Sequence, residues 1–177
     1  METKNFEIIS AKSNIDWIGR KVTGAHNGTI GIKQGTFVFD NGKLSGGRFI
    51  IDTTSIKILD VTDPATNNQF AGHLASDDFF NSTNYPESVM VITSAEQKDN
   101  GSYHISGDLT IKGITHPIGF DAQIGSNDDT ITASGKMVID RTKYGMKFRS
   151  GNFFKDLGDT LIYNDFDLSI KITAKAA

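Results

Sequence analysis

The side chains able to do chemistry in this 177-residue chain are few and loosely spaced. Four histidines, His26, His73, His104 and His116, lack the His-x-x-x-His spacing that sets two imidazoles on one helical face around zinc. With no cysteine there is no thiolate metal site, iron–sulfur cluster, disulfide framework or cysteine nucleophile. No Gly-x-Ser-x-Gly elbow, phosphate loop or dinucleotide fingerprint occurs. Asp60 and Asp63 lack the regular spacing of a calcium loop, and Asp128-Asp129 reads as a turn. The expectation is therefore no catalytic residue, no metal and no cofactor. A hydrolase or isomerase acting on an apolar substrate would need scattered residues, with His26, His73 and Asp140 the ones to test. His104 falls on the polar phase of its segment and His116 in a turn, which predicts that both are solvated. His26 and His73 lie in Gly-flanked segments. They are either hydrogen-bonded structural groups or contacts for the head of a ligand. Asn27-Gly28-Thr29 and Asn81-Ser82-Thr83 match glycosylation acceptors, a pattern frequent by chance.

The elements holding these residues read as β-strands. Ile105, Gly107, Leu109 and Ile111 alternate with polar neighbours, as do Ile118, Phe120, Ala122 and Ile124. Ile131, Ala133, Gly135, Met137 and Ile139 form a third such set, and Phe166, Leu168, Ile170, Ile172 and Ala174 a fourth. A period of two with one apolar face predicts an antiparallel sheet around a single interior. Turns are expected over Asp40-Asn41-Gly42-Lys43, over Lys98-Asp99-Asn100-Gly101, over Gly113-Ile114-Thr115-His116-Pro117 and over Gly125-Ser126-Asn127-Asp128-Asp129. Strands joined this way make an all-β, antiparallel up-and-down meander of about eight strands, which closes into a barrel because closure removes unpaired edges. Asp63-Pro64 starts a short helical insert near residues 64–80, read as a lid or plug across one end. No linker divides residues 1–177, so one domain is expected. Val89-Met90-Val91-Ile92 is apolar on both faces, which predicts an outer cover from the helix or from a second copy in a homodimer.

A net charge of −3 argues against nucleic acid as a partner, and no apolar run is long enough to cross a bilayer as a helix. The opening residues lack a leader pattern, which places the chain as written in the cytoplasm, or in the periplasm if a leader was removed. Twelve Phe and four Met supply a large apolar inventory. It packs as a solid core or lines an elongated cavity. Small inward residues (Gly107, Ala122, Ala133, Gly135 and Ala174) leave room for the second option. At roughly 0.8 kcal/mol per buried CH₂, a dozen carbons would gain about 10 kcal/mol before ordering costs.

Four segments together resemble the YceI-like domain family. They are His73-Leu74-Ala75-Ser76-Asp77-Asp78-Phe79-Phe80 with Tyr85-Pro86, then Gly107-Asp108-Leu109-Thr110-Ile111-Lys112-Gly113-Ile114-Thr115. The other two are Ile139-Asp140-Arg141-Thr142-Lys143-Tyr144-Gly145-Met146, and Gly35-Thr36-Phe37 with residues 49–56. The resemblance implies a lipocalin-like bacterial barrel that binds a polyisoprenoid, with many members in the periplasm. It implies a carrier or sequestering protein for an isoprenoid quinone, polyprenyl or fatty lipid. The rivals are a dimeric interaction or stress-response barrel without lipid, and the enzyme considered above. Strand phase and the lid nominate Phe37, Phe39, Phe49, Ile51, Leu74, Phe79, Phe80, Leu109, Ile111, Phe120, Met137, Met146 and Phe154 as ligand contacts, with Trp17 and His73 at the head. Asp140-Arg141 reads as a local ion pair shaping a turn, or else a head-group contact. The opening Ile15-Asp16-Trp17-Ile18-Gly19-Arg20-Lys21 departs from the family's Asp-x-x-His-Ser pattern. Trp17 there can cap a tail or stack on a quinone ring, and Arg20 and Lys21 can meet a polar head or remain solvated.

Overall fold

The computed structural model describes residues 2–98, 101–151, 153–155, 157–158 and 161–177. The alternating segments become nine antiparallel strands: β1 Thr3–Ile8, β2 Asn14–Lys21, β3 Gly24–Asp40, β4 Lys43–Ile58, β5 Glu87–Gln97, β6 Ser102–Ile111, β7 Ile114–Asn127, β8 Thr130–Asp140 and β9 Ile162–Ala176. From β2 to β9 each strand pairs with the next, and β9 returns to β2 to close the ring. The ninth strand does not add a stave. β1 pairs with the far half of β3 (Phe6 opposite Phe37) and the end of β9 (Phe6 opposite Ala176). β2 pairs with the near half of β3 (Ile15 opposite Ile30) and the first part of β9. A 3₁₀ turn at Ser10–Lys12 separates the two halves of this one stave. The result is the closed eight-stave antiparallel barrel that the alternation implied.

The turns are tighter than expected, for a reason visible in their dihedrals. Asn41 (φ 51°) and Gly42 (φ 81°) form a two-residue turn of the kind whose twist suits a hairpin. Lys112 (φ 53°) and Gly113 (φ 73°) do the same, with Ile111 opposite Ile114. Residues 114–117, expected in a turn, are therefore already in β7. Pro117 is tolerated there because β8 pairs with β7 only from Ala122 onward, leaving this stretch as a free edge. The 3₁₀ turn Arg141–Tyr144 covers that edge. His116 Nε2 lies 2.9 Å from the Lys143 carbonyl, and its ring stands edge-on to Tyr144, so it is half-buried on a strand rather than solvated in a turn. Residues 125–127 likewise belong to β7, and the turn shrinks to Asp128-Asp129. Of the fourth expected turn, Asp99 and Asn100 lie outside the described residues. Lys98 N–H donates to the Ser102 carbonyl at 2.8 Å across it.

The insert gives one helix, α1 Pro64–Ala75, followed by turns over residues 76–84. Asp63 caps it, accepting from the Thr66 N–H (2.9 Å) and hydroxyl (2.6 Å). Asn67 ties the helix to the end of β4 by donating to the Ile58 and Val61 carbonyls. The helix thus packs on β4, and it is not the cover expected over β5. Val89 and Val91 are half-buried on the outer face, where Val89 lies opposite Ile50 and Val91 opposite Arg48. Gly107 also serves a different purpose from the one its size suggested. A Cβ there would stand 2.1 Å from the Val91 carbonyl oxygen, so glycine permits close strand approach instead of leaving room inside.

Candidate functional site

The barrel has one plugged end and one open end. At the plugged end Phe6 packs edge-on to Phe39 (5.3 Å between ring centres), and Phe37 bridges Phe39 and Phe49. Leu44, Tyr103, Ile131 and Ala174 are buried around them, and the Leu44 N–H donates to the Tyr103 hydroxyl at 3.4 Å. Above this plug lies a cavity of about 630 Å³, within the range of sites that hold a single small molecule. Its wall is the inner phase of the strands: Ile15, Ile30 and Ile32, Phe49, Met90, Leu109, Met137, Ile170 and their neighbours. The exposed side chains on its rim, Lys21, Thr66, Gln69, Arg149, Tyr163 and Asp165, gather at the α1 end.

A lid of rings lies across that end. His73 on α1 stands edge-on to Phe79 (5.1 Å) and Phe148 (4.6 Å), and His26 on β3 stands edge-on to Phe70 (4.8 Å). Each imidazole is held by a carboxylate, His73 by Asp78 (2.9 Å) and His26 by Asp60 (2.8 Å). Burial pushes the Asp60 carboxyl up, but bonds from His26 and the Asn27 N–H outweigh it and leave it below its ordinary value. Among the described residues no hydroxyl is hydrogen-bonded to either imidazole. No three His, Asp or Glu side chains among them come together as metal ligands. Lys112 on the β6–β7 turn fastens the lid from the other side, donating to the Asp77 carbonyl at 2.6 Å.

The cap of α1 should control this lid. Bonds from the Thr66 hydroxyl and N–H hold the Asp63 carboxyl below the usual carboxylate range. A group with a depressed folded pKa contributes above its unfolded value, about 3.9 for Asp, and the contribution is lost as pH falls through the folded value. Asp63→Ala is accordingly expected to speed hydrogen exchange in the first turn of α1 at neutral pH. The parent should show that acceleration only in acid below about pH 4. Equal exchange in parent and variant at neutral pH would show that the cap does not hold the lid.

Of the fifteen nominated side chains, thirteen border the cavity: Trp17, Phe37, Phe49, Ile51, His73, Leu74, Phe79, Phe80, Leu109, Ile111, Phe120, Met137 and Met146. Phe39 does not, because it sits too deep: its phase is inward, but Phe6 and Phe37 enclose it within the plug. Phe154 is 47% exposed in the irregular segment between β8 and β9, where no period constrains its direction. Trp17 is positioned by a glycine. Gly28 lies beneath it, where a Cβ would stand 2.5 Å from the indole, and the indole N–H donates to the Thr29 carbonyl at 3.3 Å. Met90, Phe166 and Leu168 also line the cavity, and strand alternation could have found them; Phe148 carried no such signal.

Arg141 departs most from its sequence reading. It forms no ion pair with Asp140, whose carboxylate instead accepts from the Thr142 N–H (3.0 Å) and hydroxyl (2.6 Å). Arg141 is buried, 3% exposed, and donates to three backbone carbonyls: Nη1 to Met146 (2.7 Å), Nη2 to Ile162 (3.0 Å) and Nε to Tyr163 (3.0 Å). Burial lowers its pKa, opposed by the Asp140 charge, yet an arginine stays protonated at neutral pH. Arg141 also borders the cavity, and its guanidinium lies 5.9 Å from the centre of the Phe79 ring.

The YceI-like domain model matches residues 6–174. "Protein YceI" of Shigella flexneri is 33% identical over 147 residues, covering 81% of this chain and 72% of that one. Among solved structures, Burkholderia cenocepacia BcnA superimposes with a TM-score of 0.72 at 20% identity, covering 95% of this chain and 99% of that one. A polyisoprenoid binding domain from Saccharophagus degradans superimposes at 0.69 and 11% identity, covering 97% and 98%. These likenesses support the same barrel. Among the described residues no helix is long and apolar enough to cross a membrane.

Proposed function

The chain belongs to the YceI-like domain family, and from that premise we propose that it sequesters or carries an isoprenoid, quinone or comparable lipid, its tail in the barrel and its head at the mouth. The observation that carries this reading is the cavity itself: apolar walls, a plugged floor and one aromatic-lidded opening. The binding of a polyisoprenoid named for the Saccharophagus degradans domain supports the same cargo class. Binding is driven by removal of the tail from water. The chain acts by holding its ligand rather than transforming it, and the two His–Asp pairs serve as fastenings of the lid.

The volume sets a length. If each carbon takes about the 30 Å³ share of one liquid water, the cavity of about 630 Å³ accommodates about twenty carbons. In a displacement assay against an apolar fluorescent probe, affinity is expected to climb with prenyl chain length up to about twenty carbons and then level off, as further units remain outside. Affinity independent of chain length, or no displacement at any length, would contradict the proposal.

A further inference from the structure

We propose that the mouth of the cavity selects an amphiphile with an acidic head, a carboxylate or a phosphate monoester. This rests on the lipid-binding reading above and names the head that reading leaves open. Among the described residues, four permanent cations border the cavity, Arg20, Lys21, Arg141 and Arg149, against one carboxylate, Asp165. The chain as a whole carries −3, so this positive collar runs against the overall charge. Arg20 is paired with Asp167 at 2.8 Å. Arg141, Lys21 and Arg149 have no carboxylate within 4 Å among the described residues.

Arg141 is the central observation. A buried guanidinium is costly unless its charge is compensated. Here the compensation is three carbonyl dipoles, which use three of its five N–H groups. Arg149, on the exposed rim, holds its guanidinium 4.9 Å from the centre of the Phe148 ring. Phe148 in turn packs on His73 and Phe79, and Phe79 also faces Arg141. Two guanidinium groups thus flank one aromatic cluster where an apolar tail would end and its head begin. The two rim histidines add no net positive charge to the collar, since each is paired with its own carboxylate, His26 with Asp60 and His73 with Asp78. An anionic head placed there gains charge-assisted hydrogen bonds that a hydroxyl or quinone carbonyl makes only weakly.

The test measures dissociation constants for geranylgeraniol, geranylgeranyl monophosphate and icosanoic acid on the intact chain. The acidic ligands are expected to bind about tenfold or more tightly than the alcohol, the yield of one charge-assisted hydrogen bond. Raised ionic strength should shrink the advantage. It should also shrink in the Lys21→Gln/Arg149→Gln double variant, which alters exposed rim positions and spares the buried Arg141. A gain for the monophosphate alone, or for the fatty acid alone, identifies which head the collar takes. If the alcohol binds as tightly as both acids, the acidic-head inference is overturned while the carrier reading stands; an advantage unchanged in the double variant would overturn the part given to Lys21 and Arg149 and leave Arg141 as its source. If none of the three binds, both fall together.

Discussion

Ala133→Phe is expected to cost about 4 kcal/mol of binding free energy for a lipid tail, close to a thousandfold in Kd, because its ring displaces about five carbons at roughly 0.8 kcal/mol each. Ala133 lies in the first half of β8, two residues beyond the plug's Ile131 and opposite Ile124 and Ile172, and it borders the cavity. A small-to-large change in a well-packed interior is destabilising, but here the added ring enters unfilled volume. Unfolding free energy is therefore expected to remain within about 1 kcal/mol of the parent. Titration with a fluorescent prenyl ligand, paired with urea unfolding, separates the two quantities. Undiminished affinity in a folded variant would mean that the tail lies elsewhere.

Arg141→Leu is expected to be the most destabilising single change, by about 3–5 kcal/mol, because each carbonyl left without its donor costs about 1–3 kcal/mol to the extent that it stays dry. Three carbonyls are at stake. Those of Ile162 and Tyr163 belong to the start of β9, and that of Met146 to the loop leaving the 3₁₀ turn. Arg141 therefore joins the end of β8 to the start of β9 across the segment that interrupts them. Lost packing of the aliphatic stem is limited in this variant, since leucine keeps part of it. A loss below about 1 kcal/mol in urea unfolding would show that water replaces the guanidinium at all three acceptors.

Most of the barrel could be read from the sequence because its signal is local. β6 carries an unbroken alternation, and β8 and β9 carry one broken only at Val138 and at Tyr163-Asn164; a period of two assigns both strand and face. What escaped depends on relations between distant segments. That β1 and β2 share one stave follows from how far β3 runs past both, which neither short segment reveals. Phase placed Phe39 inward correctly but could not give its depth, which Phe6 decides by packing from another strand. Phe148 and Phe154 lie in an aperiodic stretch; one turns into the lid and the other to solvent, with nothing in the sequence to separate them. Asp140 and Arg141 looked like partners because they are neighbours and oppositely charged. The chain instead gives each to the backbone, Asp140 to cap a 3₁₀ turn and Arg141 to hold three carbonyls. The cationic collar was equally out of reach, since its members come from β2, the 3₁₀ turn and the loop before β9.

The central claim, that the barrel holds a lipid, is tested most directly by native mass spectrometry of the intact protein followed by analysis of its organic extract. The account predicts a mass increment of one lipid per chain, either as purified or after incubation with prenyl lipids of about twenty carbons. It further predicts that the increment disappears in Ala133→Phe. A clean unliganded mass that takes up neither prenyl lipids, quinones nor fatty acids would contradict it, and the barrel would then be a fold without the cargo proposed for it.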